Sequence, residues 1–373
     1  MRLLIWIVIA QAAFVARGAE IERGRVVDAG TFAYYAPSHY DANARWPVIY
    51  VFDPLARGAT AAEFFREAAE EFGWIVIASN VTRNGMNWDV IGPAVADSSR
   101  AASRMFALDS RRVYTSGFSG GAMIAVWVAR RTNAIAGVIA CGSPPVETAN
   151  ITFDWFGTTG DLDFNNAPSR AIDASIPTAH RLDILDGGHR WASPEELRVA
   201  FAWMELQAMN RGTRARDEEL IARTLKSDLA FAELGRDALQ KLRRYEAIAR
   251  TYDGLRSVDV REKIDALKPA AVKLAKEEKA ADKFEESFIP RQRRVFDEFL
   301  HGETLRPAVW LANELQITHL RKVAAESTYR GLAAQRALAR MRGELRRLAE
   351  ELEEKKQKAL ADVVRDVLQK AAV

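Results

Sequence analysis

A serine lies between glycines at the point where a strand-like run gives way to a helix-like run. Residues 113–130 read VYTSGFSGGAMIAVWVAR, with Ser119 flanked by Gly117 and Gly120. Such a turn lifts the serine hydroxyl above a sheet, and the backbone N–H groups that follow can stabilise an anion. The pattern is typical of a nucleophilic serine, although glycine and serine are also common where a strand turns into a helix.

A serine hydroxyl becomes a useful nucleophile only when an oriented base takes its proton. Of the five histidines, His189 follows a predicted strand in the stretch DILDGGHRW and precedes a predicted helix. Asp161 and Asp163, in GDLDFNN, follow the preceding predicted strand. Because the carboxyl ends of parallel strands share one edge of a sheet, Ser119, His189 and one of the two aspartates are predicted to meet there.

Two patterns divide the chain. Strand-like runs alternate with helical runs up to about residue 211, the strands at 46–54, 74–80, 111–117, 135–143, 151–161 and 180–188, and the helices at 60–73, 89–109, 121–131 and 193–210. This alternation predicts an α/β fold with a doubly wound, mostly parallel sheet over residues 19–211. The remainder, 212–373, shows only helical periodicity with charges of both signs, which predicts an all-α domain of unknown role. Its helices are candidates for binding a partner protein or a second copy of the chain.

The first residues, MRLLIWIVIAQAAFVARGAE, have the outline of a secretory signal. Arg2 precedes an apolar run over 3–16, and small residues around 16–18 suit cleavage. The run is shorter than the ~20 residues that a spanning helix needs. We therefore expect a signal peptide over 1–18, export to the periplasm or medium, and no stable membrane span after cleavage.

Composition narrows the function further. The net charge of +3 gives no basic surface signal for nucleic acid. Cys141 is the only cysteine, so no internal disulfide can form, and its apolar strand predicts a small buried side chain.

On these motifs, residues from about 30 to 210 resemble the α/β-hydrolase superfamily, in particular exported serine esterases similar to dienelactone hydrolases and polyhydroxybutyrate depolymerases. FAYYAPSHYDANARWPVIYVFDP resembles their opening, GFSGG their nucleophile elbow, and GGHRW their histidine loop. GDLDFNN resembles their acid loop, which favours Asp163 over Asp161. The resemblance implies a carboxylic ester hydrolase that uses Ser119, Asp163 and His189, forms an acyl-enzyme, and needs no metal or cofactor. A serine peptidase would use the same residues.

One position departs from that family pattern. Many relatives have His-Gly after the first buried strand, whereas this chain has Asp53-Pro54. Pro54 has no N–H to offer, so the oxyanion donors would be the backbone N–H groups of Leu55 and Gly120. Losing one such donor costs ~3 kcal/mol of transition-state stabilisation. A degenerate hydrolase that serves as an envelope binding or scaffold protein through its helical half is therefore the alternative.

Other residues near this edge are candidates for contacting substrate. Asn80 and Arg83, together with Asn84 and Trp88, belong to the stretch SNVTRNGMNW after a predicted strand, and Trp191 is close to His189 in the chain. The connection GSPPVETAN is too short for a helical cap, which favours an open site for a polymeric or bulky ester unless the helical half folds over it. If the two halves fold independently, truncation after residue 211 should leave activity on a small ester.

Overall fold

The computed structural model describes residues 21–302 and 304–371. The predicted signal peptide lies outside them. The strands are β1 (Val26–Asp28), β2 (Phe32–Tyr35), β3 (Trp46–Phe52), β4 (Ile75–Ser79), β5 (Leu108–Phe118), β6 (Gly137–Cys141), β7 (Asp154–Gly160) and β8 (His180–Leu185). The helices between them are α1 (Gly58–Phe72), α2 (Trp88–Met105), α3 (Gly120–Ala129), α4 (Asn166–Asp173) and α5 (Pro194–Asn210). The helices after them are α6 (Glu218–Glu233), α7 (Ala238–Thr251), α8 (Arg261–His301), α9 (Ala308–Glu314), α10 (Ile317–Ala324), α11 (Tyr329–Glu354) and α12 (Lys358–Lys370).

The eight strands form one sheet in the order β1-β2-β4-β3-β5-β6-β7-β8. From β3 to β8 neighbouring strands are parallel, whereas β1 and β2 run antiparallel at one edge. The predicted fold class, a doubly wound and mostly parallel α/β-hydrolase sheet followed by an all-α region, is confirmed. Three local details differ from the prediction. The strands β1 and β2 and the helix α4 were not predicted, and the helix predicted over 89–109 ends at Met105 because Leu108 begins β5.

Helices cover both faces of the sheet. The apolar faces of α2 and α3 pack with residues such as Val48 and Val113 on one side. On the other side α1 and α5 pack with Ile49 and Phe156. Two predicted helix boundaries are confirmed: Gly73, with a φ of 70°, closes α1, and Ser193 forms a capping box with Glu196 at the start of α5.

The helical region has a core of its own and also shares one with the sheet region. Helices α8 to α12 enclose an apolar cluster that includes Phe299, Leu311 and Leu338. Helices α6 and α7 instead pack around Leu206 and Met209 at the end of α5. The apolar contacts therefore cross residue 211, where the sequence predicted a boundary.

Across residues 21–302 and 304–371, the helices are either too short or too polar to cross a membrane.

Candidate active site

Ser119 lies on a strained turn between β5 and α3. Its backbone φ of 52° and ψ of −120° lie outside the regions that L-residues favour. The helix follows at very close range: a Cβ on Gly117 would lie 2.2 Å from the carbonyl carbon of Gly121. A Cβ on Gly121 would lie 1.9 Å from the carbonyl oxygen of Phe52. Only glycine fits at these two positions, and the serine is left at the carboxyl edge of the sheet.

Three side chains named from the sequence form one hydrogen-bonded relay. His189 Nε2 lies 2.9 Å from Ser119 Oγ, and His189 Nδ1 lies 3.0 Å from Asp163 Oδ2. Asp163 is fully buried, and its Oδ1 accepts the backbone N–H of Asn165 at 2.8 Å. When Nδ1 carries the imidazole proton and donates it to Asp163, Nε2 is free to accept the proton of the serine. This arrangement can activate Ser119.

Two phenylalanine rings pack against the imidazole ring of His189. The ring centroids of Phe118 and Phe164 lie 4.6 Å and 4.5 Å from that of His189. The histidine side chain is 20% exposed. These two aromatic contacts, added to a hydrogen bond at each nitrogen, restrict rotation of the ring.

Asp161, the alternative acid, has a different place. Its Oδ1 accepts the backbone N–H of Gly187 at 3.0 Å, and its Oδ2 pairs with Arg236 Nη1 at 2.9 Å. Asp161 thus connects the acid loop (residues 161–165) to the histidine loop (residues 186–190). Asp163 makes the carboxylate contact with the imidazole.

The backbone N–H predicted as the second oxyanion donor, that of Leu55, already has a hydrogen-bond partner. The backbone N–H of Leu55 donates to Asp53 Oδ1 at 2.8 Å, so in this geometry it is not free to bind an oxyanion. Asp53 also accepts hydrogen bonds from Arg57 Nε and Nη2, both at 3.1 Å, and from Trp191 Nε1 at 3.1 Å. Burial by itself would raise the pKa of Asp53, but the hydrogen bonds from Arg57, Trp191 and Leu55 outweigh it and lower the pKa. The carboxylate is therefore charged and neutralised by Arg57.

Asn84 lies beside the other predicted donor, Gly120. The backbone N–H of Asn84 donates to the Pro54 carbonyl at 2.9 Å. The preceding residue, Arg83, forms an isolated antiparallel bridge with Leu55. A Cβ on Gly120 would lie 1.7 Å from Asn84 Oδ1. The carboxamide of Asn84 therefore fills the space beside Gly120, the residue that follows Ser119. The sequence named Asn84 only as a candidate for contacting substrate, because no local pattern reports which loop side chain reaches the start of a helix.

The predicted substrate-pocket residues separate into two groups. Asn80 donates through Nδ2 to Asp28 Oδ1 and to the Gly30 carbonyl, both at 3.0 Å, so its carboxamide turns toward the β1–β2 connection. Trp191 is only 8% exposed and packs into the apolar core beneath the site. These contacts correct the expectation that both residues line an open pocket. The side chain of Arg83 is exposed at the same edge.

Within the described part of the chain, no group of three or more His, Cys, Asp or Glu side chains is arranged to hold a metal ion. Cys141 is fully buried, and burial raises the pKa of its thiol to about 11.

No protein-family model matches the chain, and no curated protein matches it. Among solved structures, an S-formylglutathione hydrolase of Staphylococcus aureus is 13% identical, with 46% of this chain and 89% of that chain covered and a TM-score of 0.39. A truncated carbohydrate esterase from gut microbiota is 12% identical, with 46% and 90% covered and a TM-score of 0.38. Est1E of Butyrivibrio proteoclasticus is 12% identical, with 50% and 98% covered and a TM-score of 0.39. Each of these similarities covers half of this chain or less.

Proposed function

We propose that the protein is a serine hydrolase that cleaves carboxylic esters through an acyl-enzyme. The relay from Asp163 through His189 to Ser119, at 3.0 Å and 2.9 Å, carries the proposal. Ser119 Oγ attacks the ester carbonyl carbon while His189 Nε2 takes its proton, and the imidazolium then gives that proton to the leaving alkoxide. A water molecule repeats the sequence on the acyl-enzyme, which releases the acid and restores Ser119. Asp163 orients the ring and stabilises the imidazolium.

For the oxyanion we propose the backbone N–H of Gly120 and the side-chain amide of Asn84. Gly120 is the first residue of α3, where an N–H has no partner within the helix. Asn84 Nδ2, which lies 3.0 Å from where a Cβ on Gly120 would stand, replaces the Leu55 N–H as second donor because that N–H is bound to Asp53. Donation requires that Nδ2, rather than the nearer Oδ1, face the oxyanion. Side-chain amides can supply an oxyanion hole in hydrolases.

The proposed substrate class rests on the connection that forms a cap in many lipases. The connection between β6 and β7, residues 142–153, contains no helix and so builds no cap. An open site suits a polymeric or bulky ester, and export directed by residues 1–18 would bring the enzyme to such a substrate outside the cytoplasm. A peptide could be cleaved by the same residues.

A second candidate is supported by the engaged Leu55 N–H. If Gly120 is the only donor, the site is a weak hydrolase and the protein serves as an envelope binding or scaffold protein through its helices. The occupied donor position is the observation in favour of this candidate.

The deciding experiment is labelling of the purified protein with a fluorophosphonate, which reacts covalently with activated serines. We expect capture at Ser119, none in Ser119→Ala, and a drop in kcat on the order of 10⁴-fold or more in that variant. The melting temperature should change little. Ser116→Ala is the matched control, because the Ser116 hydroxyl is buried and donates to the Ile139 carbonyl at 2.7 Å. A folded protein that takes up no label would rule out the hydrolase and leave the scaffold.

A further inference from the structure

A network of buried ion pairs lies where the helical region meets the acid loop. Helix α8 presents Glu278, Asp282 and Glu285 on one face, because they are four and three residues apart. Arginines from three other helices pair with them: Arg170 of α4 with Glu278 and Asp282 at 2.7 Å, Arg243 of α7 with Glu278, Arg336 of α11 with Glu285 at 2.7 Å, and Arg340 of α11 with Glu285 at 3.1 Å.

Two of these arginines also reach the acid loop. Arg336 Nη1 donates to the Asp161 carbonyl at 3.2 Å, and Arg340 Nη2 donates to the Phe164 carbonyl at 2.9 Å. These two carbonyls flank Asp163, the partner of His189. The side chains of Arg336 and Arg340 are 4% and 18% exposed, so both contacts are shielded from solvent.

We infer that Arg336 and Arg340 are positioning residues for the active site, and this inference rests on the proposed function. A guanidinium offers five N–H donors in a fixed plane, so one group can bind a carboxylate and a carbonyl together. Glu285 fixes both guanidinium groups, and they in turn fix the backbone on each side of Asp163. The helical region thereby sets where the carboxylate meets the imidazole.

The acid loop contacts the imidazole in two ways, and the Arg340 hydrogen bond to the Phe164 carbonyl bears on both. Phe164 packs on one face of the His189 ring, and Asp163 binds its Nδ1. A shift of the acid loop would move the packing surface and the hydrogen-bond acceptor together. Misplacement of a catalytic group by about 1 Å can cost ~10²-fold in rate.

The test is Arg340→Met in the full chain, with hydrolysis of a small p-nitrophenyl ester and fluorophosphonate labelling as readouts. We expect kcat and the labelling rate to fall by about 10- to 100-fold while KM stays within about twofold. Arg340→Lys, which keeps the charge but not the planar arrangement of donors, should recover part of the loss. Arg347→Met is the matched control on the same helix, since its side chain is 72% exposed and pairs with Glu351 of the same helix at 3.8 Å.

The inference is overturned if Arg340→Met labels and turns over like the wild type. Arg336→Met should repeat the Arg340→Met result, and circular dichroism at the assay temperature separates a lost fold from a misplaced loop. An unchanged kcat in a folded Arg340→Met leaves the proposed function standing and removes the positioning role. Absence of labelling in the wild type removes both.

Discussion

The sheet region and the helical region support the same site by different means. Ser119 and His189 are held by backbone geometry and apolar packing, through closely packed glycines at the turn and two phenylalanines against the imidazole ring. Arg336 and Arg340 hold the acid loop through buried charges from residues 175 and 176 positions away in the chain. The packing and the turn come from residues within the sheet region, whereas the ionic contacts exist only after the helical region has folded against it. The acid is therefore the part of the site that depends most on the helical region.

The two kinds of support also differ in how they fail. Removing a methylene from an apolar core costs about 1 kcal/mol, because its burial is lost and a small cavity remains. Removing one member of a buried ion pair leaves a charge without a partner, and this costs several kcal/mol. Substitutions in the helical region should therefore give sharper losses than their distance from Ser119 suggests.

Truncation after residue 211 should have the largest effect, because it removes the helical region entirely. The shared cluster around Leu206 and Met209 would be exposed, and the buried Arg181 would lose Asp228. We expect an aggregated or partly folded product without fluorophosphonate labelling, rather than the active fragment that independent halves predict. Size-exclusion chromatography and labelling beside the full chain test this. A monomeric, labelled fragment would show that the sheet region needs no support from the helices.

A smaller effect is expected from breaking one ionic contact between the regions. Arg181 of β8 pairs with Asp183 at 2.8 Å and with Asp228 of α6 at 2.9 Å, and all three side chains are buried. Arg181→Met should lower the free energy of unfolding by ~3–5 kcal/mol, because two carboxylates lose their counter-ion. Chemical denaturation measures it. The control Arg198→Met removes a half-exposed pair with Glu71 and should cost less than ~1 kcal/mol, so equal losses would argue against the distinction.

The sharpest test within the sheet region is Asn84→Asp, which replaces the proposed amide donor with an oxygen of similar size. Relative to the wild type, kcat should fall by about 10²- to 10³-fold, because an oxyanion donor is lost and a negative charge is added. Steady-state kinetics on the small ester measures it, and KM should change little. Asn87→Asp is the control: Asn87 caps α2 by accepting the Asp89 N–H, and aspartate caps equally well. Wild-type kcat in Asn84→Asp would leave Gly120 as the single donor.

The sequence predicted the fold through patterns that are local. The alternation of apolar strands and amphipathic helices indicated the sheet, and the order of its strand ends indicated which loops meet at Ser119. The short antiparallel strands β1 and β2 were missed because three or four residues carry too little pattern. The engagement of the Leu55 N–H depends on the rotamer of Asp53, and the contacts of Arg336 and Arg340 depend on how distant helices pack. Neither the Asp53 rotamer nor the packing of distant helices leaves a signal in a single sequence. The catalytic roles of Ser119, Asp163 and His189 stay predictions.

The positive φ of Ser119 sets a limit on how this chain can evolve. A non-glycine residue held there costs of order 1–3 kcal/mol, and the surrounding packing must sustain that cost. Selection for stability alone would favour glycine at position 119, because glycine adopts this backbone without a penalty. The hydroxyl at position 119 therefore lowers the stability of the fold. Stabilising residues elsewhere in the core must offset that loss.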